Sequence, residues 1–405
     1  MMRLIVSILI FASFGTFAQI KVSTITNAFK GSGGLSLDEN GNLFIGDFGD
    51  FLGAGDGDGL PNNIWKLDSN FDLSIYATNF IIASGNDFDN NGILYQSDLA
   101  ANAIYKIVNG TRTFVTSTGI SLPVGLVFDS QNNFFVCNCG SNTIRKITST
   151  GVSTEFAAGN IFSCPNGITV DENDNLYVSN FSNGDIIKIT PEGISTLLNS
   201  TPGGTTSGPS NGHLDYHQAS NTLFIASHGS NKIYYLNLKD PDSIKVLAGS
   251  GLRGNDDGEA MQATFSRPNG VAVTPSGDSI YINSAIPVSN FPDRPLNPQV
   301  IRLITGVQSV LSIAEDHQKY DTFKCYPNPA RNTFTIESTS LKDISNLRLL
   351  VFTMEGVVMD VIKELDTLNI AFKVSIDVSN YPAGKYNYSL CDGKEILFRG
   401  SIIKE

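Results

Sequence analysis

Six segments of the chain follow one template, and this repetition constrains the fold more than any other feature. They read GLSLDENGNLFIGD from Gly34, GNDFDNNGILYQSD from Gly85, GLVFDSQNNFFVCN from Gly125, GITVDENDNLYVSN from Gly167, GHLDYHQASNTLFIAS from Gly212 and GVAVTPSGDSIYINS from Gly270. Within each, two short runs alternate with period two, the mark of strands with two unlike faces. Turns such as Asp38-Glu39-Asn40-Gly41 and Asp171-Glu172-Asn173-Asp174 supply hairpin chemistry. A third strand follows each pair, as at 102–107 and 142–147, and then a fourth, as at 151–156 and 193–198. Four short strands per unit of this length make one propeller blade, so the expected fold is all-β, a six-bladed β-propeller over 19–306.

A ring of blades must close. The sixth unit has strands near 270–274, 279–283 and 299–304 and then lacks an obvious fourth. Ile20–Thr26 resembles the fourth strands of other blades, so the first strand is expected to complete the last blade and remove a free edge. Val307–Ile313 is the competing candidate.

The units resemble NHL repeats, most closely from Ala248 to Ala260 and from Phe265 to Val271. That resemblance covers roughly residues 20–306 and implies a fold, not an activity. The signatures of the WD40 family are missing.

The blade pattern stops near residue 306, and 307–322 reads as a linker. The remainder, 323–405, alternates strands with Gly and Pro turns over a length that suits a small β-sandwich. Tyr326-Pro327-Asn328-Pro329-Ala330, the Gly356 turn, Pro382-Ala383-Gly384 and the closing Lys404 resemble the type A sorting domain of the type IX secretion system. This resemblance implies that the type IX secretion machinery is a partner and that the protein is secreted to the outer surface or beyond. The start agrees. Met1-Met2-Arg3, an apolar run from Leu4 to Phe14 and small residues at Thr16 and Ala18 read as a signal peptide over 1–18. That run is too short to span a bilayer comfortably, and no later segment is apolar enough for a transmembrane helix.

Export permits disulfides, and there are five cysteines. Cys137, Cys139 and Cys164 fall in one region, where they are either buried thiols or include a bond from Cys164 to Cys137 or Cys139. Their spacing is no recognisable zinc site. The formal net charge of −12 disfavours nucleic acid as a partner. Charges balance in the last 80 or so residues, so the acidity belongs to the propeller.

Candidate sites follow from the propeller itself. The turn entering each first strand and the loop between second and third strands share the face around the channel mouth. The two longest insertions, Phe48–Asn62 and Ser284–Pro298, fall in such loops of blades one and six, which are neighbours in a closed ring. Long loops on a rigid scaffold are where binding usually resides. The mouth is expected to carry Asn86, Asn166, Asn211 and Asn269, with Asp47, Asp98, Asn138, Asn180 and Asn283 at the ends of second strands nearby. Such side chains offer oxygen to hard cations, and equally cap turns. His213 and His228 of blade five are expected to face each other near the mouth, and His217 to lie on the opposite face. Asp56 and Asp58, on a glycine-rich loop, are candidates for Ca2+ or another divalent cation. Asp87-x-Asp89-x-Asn91-Gly92, with Asp98, fits the EF-hand template, but it sits on a hairpin that recurs in other blades.

A resemblance to gluconolactonase-like propellers would add chemistry, because it implies a divalent metal held by Glu, Asn and Asp at the mouth and activating water. Pro165-Asn166-Gly167 matches their Asn-bearing turn. The place of their Glu reads Gly31-Ser32-Gly33-Gly34, and Asn211 stands at the turn comparable to that of their Asp. The sequence therefore points to a secreted or cell-surface binding module for an extracellular glycan, peptide or protein. The alternative is a metal-dependent hydrolase or lyase.

Overall fold

The computed structural model describes residues 19–49, 61–202, 209–287, 296–308, 311, 324–338, 347–353, 358–363, 372–392 and 395–405. The expected leader, the Asp56 and Asp58 loop and most of 307–322 lie outside these residues. The chain divides into two compact units, Met1–Ser309 and Val310–Glu405.

In the first unit, hairpin turns set the registers. Asp129 is typical: its Oδ1 accepts from the backbone N–H of Gln131 and of Asn133, at 3.0 and 2.8 Å. Asp38, Asp89 and Asp171 repeat this turn in their own blades. In blade two, therefore, the EF-hand-like spacing is a hairpin turn, with the Asp89 carboxylate spent on its own backbone.

Blades one to five are four-stranded antiparallel sheets. Their innermost strands are Leu35–Leu37, Ala83–Phe88, Pro123–Phe128, Pro165–Val170 and Leu214–His217. The sixth blade combines Val271–Val273, Ser279–Ala285 and Gln299–Thr305 with Lys21–Thr24, which pairs antiparallel with the last of these from Lys21↔Thr305 to Thr24↔Arg302. The N-terminal strand thus closes the ring, and a short fifth strand, Gly258–Glu259, flanks it.

Apolar clusters sit between facing sheets. Phe44, Ile64, Phe80 and Leu94 join blades one and two, and Val127, Phe135, Ile168 and Val178 join blades three and four. Nearer the axis the backbones themselves meet. A Cβ on Gly85 would lie 2.5 Å from the carbonyl oxygen of Val124, and one on Gly125 2.4 Å from that of Asn166. Side chains of the second strands complete the seam: Ser97 Oγ donates to Val124 O at 2.5 Å, Ser179 Oγ to Gly212 O at 2.7 Å, and Asn283 Nδ2 to Gly33 O at 2.7 Å.

The second unit is a β-sandwich. One sheet has three strands, Lys324–Tyr326, Thr333–Ser338 and Phe372–Asp377; the other has four, Val358–Lys363, Leu347–Thr353, Gly384–Asp392 and Glu395–Lys404. Phe334, Ile336, Leu349, Val351, Tyr388 and Leu390 fill its core. The sorting-motif residues gather at one end. Asn328 Oδ1 accepts from the Ile403 N–H at 2.9 Å, Ala330 bridges to Lys404, and Gly384 pairs with Lys404. Tyr326 and Asn328 each precede a cis proline, Pro327 and Pro329.

The ring closure is latched by charge. Arg302 is fully buried, and its guanidinium lies 2.9 Å from Asp257 and over the Phe265 ring. The same carboxylate accepts from Thr24 N and Thr24 Oγ1 on the closing strand. Asp257→Ala removes a half-exposed carboxylate that bonds both the buried guanidinium and Thr24, a loss expected to cost about 2 kcal/mol. Thermal and denaturant unfolding of the purified protein should show a clearly lowered midpoint, and an unchanged one would mean that the latch is dispensable.

Candidate functional site

All first strands run the same way along the channel, so their starts surround one mouth and their ends the other. Each mouth opens into a cavity, and the two differ in chemistry.

At the starts lies a cavity of about 200 Å³ lined by Phe48, Leu99, Leu122, Val124, Phe181 and Leu296, with the Cys139–Cys164 disulfide at its wall. Phe48 and Leu296 are the described flanks of the two insertions, and they pack into one cluster with Ile82, Leu99 and Val124. Asn297 Nδ2 donates to Asp47 Oδ1 at 3.0 Å, so the two insertion bases stand side by side. Ser84, Asn166, Asn269 and His228 supply the polar surface. Each asparagine also stitches blades together: Asn166 Nδ2 donates to Asn211 O at 3.1 Å and Asn269 Nδ2 to Ser32 O at 2.7 Å. His228 is buried, and neither ring nitrogen has a hydrogen-bond partner among the described residues. Burial, reinforced by the positive charges of Arg267 and Arg253, pushes its pKa down to about 3, so the imidazole is neutral at physiological pH.

The other candidates lie elsewhere. Asn211 is fully buried between blades four and five, where its Oδ1 accepts from Thr201 Oγ1 at 2.7 Å and its Nδ2 donates to Gly184 O at 2.8 Å. Asn86 lines the opposite cavity, held by Ser36 Oγ and Gln96 Oε1 at 2.8 and 3.1 Å. His213 and His228 do not face each other. His213 belongs to the opposite cavity, because an extra residue in the first strand of blade five carries its side chain across the channel to Gly34 and Gly85. His217 lies there too, bonded to Ser220 and to Pro275 O.

The second-strand ends act as turn caps. Asp98 accepts from Ile81 N and Ile82 N at 2.9 and 3.0 Å, Asn138 Nδ2 donates to Gly119 O, and Asn180 Nδ2 to Ile161 O. The residues at the apolar mouth do not fit a divalent metal. No carboxylate lines that cavity, and no three His, Cys, Asp or Glu side chains converge among the described residues.

The opposite cavity is larger, about 430 Å³, and polar. It holds two residues that sequence reasoning did not place at a channel mouth, Asp87 and Asp215. They occupy equivalent positions of their first strands, opposite Tyr95 and Phe224. Each reaches the next blade: Asp215 Oδ2 accepts from Val273 N at 2.8 Å, and Asp87 Oδ2 from Phe128 N at 3.4 Å. Burial pushes Asp87 up to about 7, with Asp215 adding repulsion, and pushes Asp215 up to about 6. A signal existed in the sequence: an acid stands inside a first strand where the other blades have Ser36, Val127, Thr169 and Ala272.

Residues 324–404 match the family of secretion system C-terminal sorting domains. This segment is a type IX sorting domain, and it directs the protein to the cell surface or the extracellular space. A sequence comparison with curated proteins finds no match. Among solved structures, the chain is similar to a protein of unknown function from Bacteroides thetaiotaomicron, with 13% identity, a TM-score of 0.56 and coverage of 71% of this chain and 76% of that one. An auxiliary nutrient binding protein from Bacteroides ovatus gives 17%, 0.54, 71% and 76%. A gluconolactonase from Xanthomonas campestris gives 12%, 0.51, 71% and 90%. These likenesses establish the β-propeller fold. No described helix is long and apolar enough to cross a membrane.

Two outcomes follow. The disulfide closes a loop of 25 residues between blades three and four, so Cys139→Ser is expected to cost about 3 kcal/mol, read from denaturant midpoints. Asp87 and Asp215 have folded pKa values above the ordinary carboxylate range. The stability this confers is complete below that range and is lost as pH rises through 6 to 7. Asp87→Asn should flatten the fall in thermal midpoint between pH 5 and pH 8.

Proposed function

We propose that the protein is a secreted or cell-surface binding module, and that its ligand inserts a non-polar group into the apolar mouth while presenting a hydrogen-bonding group to His228, Asn166 and Asn269. The observation that carries this reading is the lining itself: a concave apolar surface around a buried neutral imidazole with no partner of its own. An unsatisfied buried polar atom costs free energy that a ligand's donor or acceptor recovers. The fold's occurrence in nutrient-binding proteins supports a binding role. An extracellular glycan, peptide or protein fits the site when it carries an aromatic or aliphatic group beside a polar one.

Leu122 suits a test, because it is 41% exposed and has φ of 45°, a backbone conformation that aspartate tolerates. The purified secreted protein would be screened against arrayed glycans, aryl glycosides and apolar peptides. Leu122→Asp is expected to weaken capture of any hit at least about tenfold, with an unchanged thermal midpoint. Equal capture by Leu122→Asp, or no hit in any class, would overturn the reading.

A further inference from the structure

We propose that the polar cavity at the far end of the channel is a second, separate binding site, built for the primary ammonium group of an alkylamine. Its separateness is geometric. The His213 ring reaches across the axis to the first strands of blades one and two, and the glycines there, Gly34 and Gly85, leave it that room. His213 lines the polar cavity and not the apolar one.

Charge selects the ligand's sign. Asp38 and Glu39 from blade one, Asp87 from blade two and Asp215 from blade five line the cavity, and no Lys or Arg does. Asp38 is committed to its own turn through Asn40, Asn42 and the Asn42 side chain. Glu39 is exposed at the rim. Asp87 and Asp215 stand at one level of the channel, each half-buried with part of its surface open to the cavity. Blades three, four and six add Val127, Thr169, Val273 and Thr274, which carry no charge. Two carboxylates therefore face the cavity with no Lys or Arg beside them, and the ring of His217, which also lines it, is bonded to Ser220 and Pro275 O.

His213 selects the kind of cation. It is more than nine-tenths buried, and its Nε2 has no hydrogen-bond partner among the described residues. Burial lowers its pKa to about 4, so the ring is neutral and one nitrogen is free to accept a proton donor. An ammonium group carries three donors, which match two carboxylates and one imidazole. Asp215 accepts from the backbone N–H groups of Tyr216 and Val273 through one oxygen each, which leaves every oxygen a further lone pair for an N–H donor.

The test is calorimetric titration of the purified secreted protein with n-butylammonium chloride, with 1-butanol as the uncharged control. At pH 8 the expected result is saturable binding of the amine, one per chain, and none of the alcohol. Asp87→Asn should weaken binding at least tenfold. At pH 5, where Asp87 and Asp215 take up protons, binding should be lost. A ¹⁵N spectrum of the imidazoles gives an independent readout, since the His213 Nε2 resonance should shift on titration with the amine. Amine binding that persists at pH 5, that survives Asp87→Asn or that leaves His213 unmoved would mean attraction to surface acids and would overturn the proposal. So would the absence of binding at pH 8, or equal binding of butanol.

Discussion

The propeller depends on the approach of six innermost strands to one another around the channel. At Gly85, Gly125 and Gly212 a Cβ would fall within 2.5 Å of a carbonyl oxygen of the next blade. No side chain can stand there, so these positions are glycine for want of space. The innermost strand of each blade is also an open sheet edge, whose free N–H and C=O groups must find partners away from bulk water. The neighbouring blade supplies them through Ser97, Ser179 and Asn283 at one level and through Asp87 and Asp215 at another. Polar side chains near the axis are first a solution to this problem.

That requirement separates candidate ligands from structural donors. Asn166 and Asn269 border a cavity, yet their amides are engaged by the next blade. Asn211 is consumed altogether. What is left over identifies a site better than residue type does. Among the leftovers are the two nitrogens of His228 and Ser84 Oγ at one mouth and Nε2 of His213 toward the other. The same repeat has thus produced an apolar cavity at one end, where loops supply Phe48, Leu122 and Leu296, and an acidic one at the other, where first strands supply Asp87 and Asp215.

The latch on the sixth blade shows how the ring resists opening at its only junction between chain ends. Pairing of Lys21–Thr24 with Gln299–Thr305 joins segments separated by nearly the whole unit. Such a contact is entropically expensive, because it closes a very long loop. The buried Arg302, with Asp257 bridging to Thr24, places a strong interaction where that cost falls.

The sequence by itself determined the number of blades, the side-by-side placement of the two insertion bases and the sorting domain, and it offered two segments to close the ring, of which the structure uses Lys21–Thr24. Each rests on a local signal that repeats or is strictly ordered: period-two alternation, Asp turns, a glycine at the start of every repeat, and the Tyr326–Ala330 motif. The tertiary structure alone decided which polar side chains are spent and which are free. One extra residue in blade five turned His213 from the mouth to the opposite cavity, away from His228, a shift in side-chain direction that a strand's two-residue period makes from a single insertion. Asp87 and Asp215 are 128 residues apart and meet only because the ring brings blades two and five around one channel. Repetition along a chain fixes elements and their order, whereas a site depends on contacts across the ring, which no local pattern encodes.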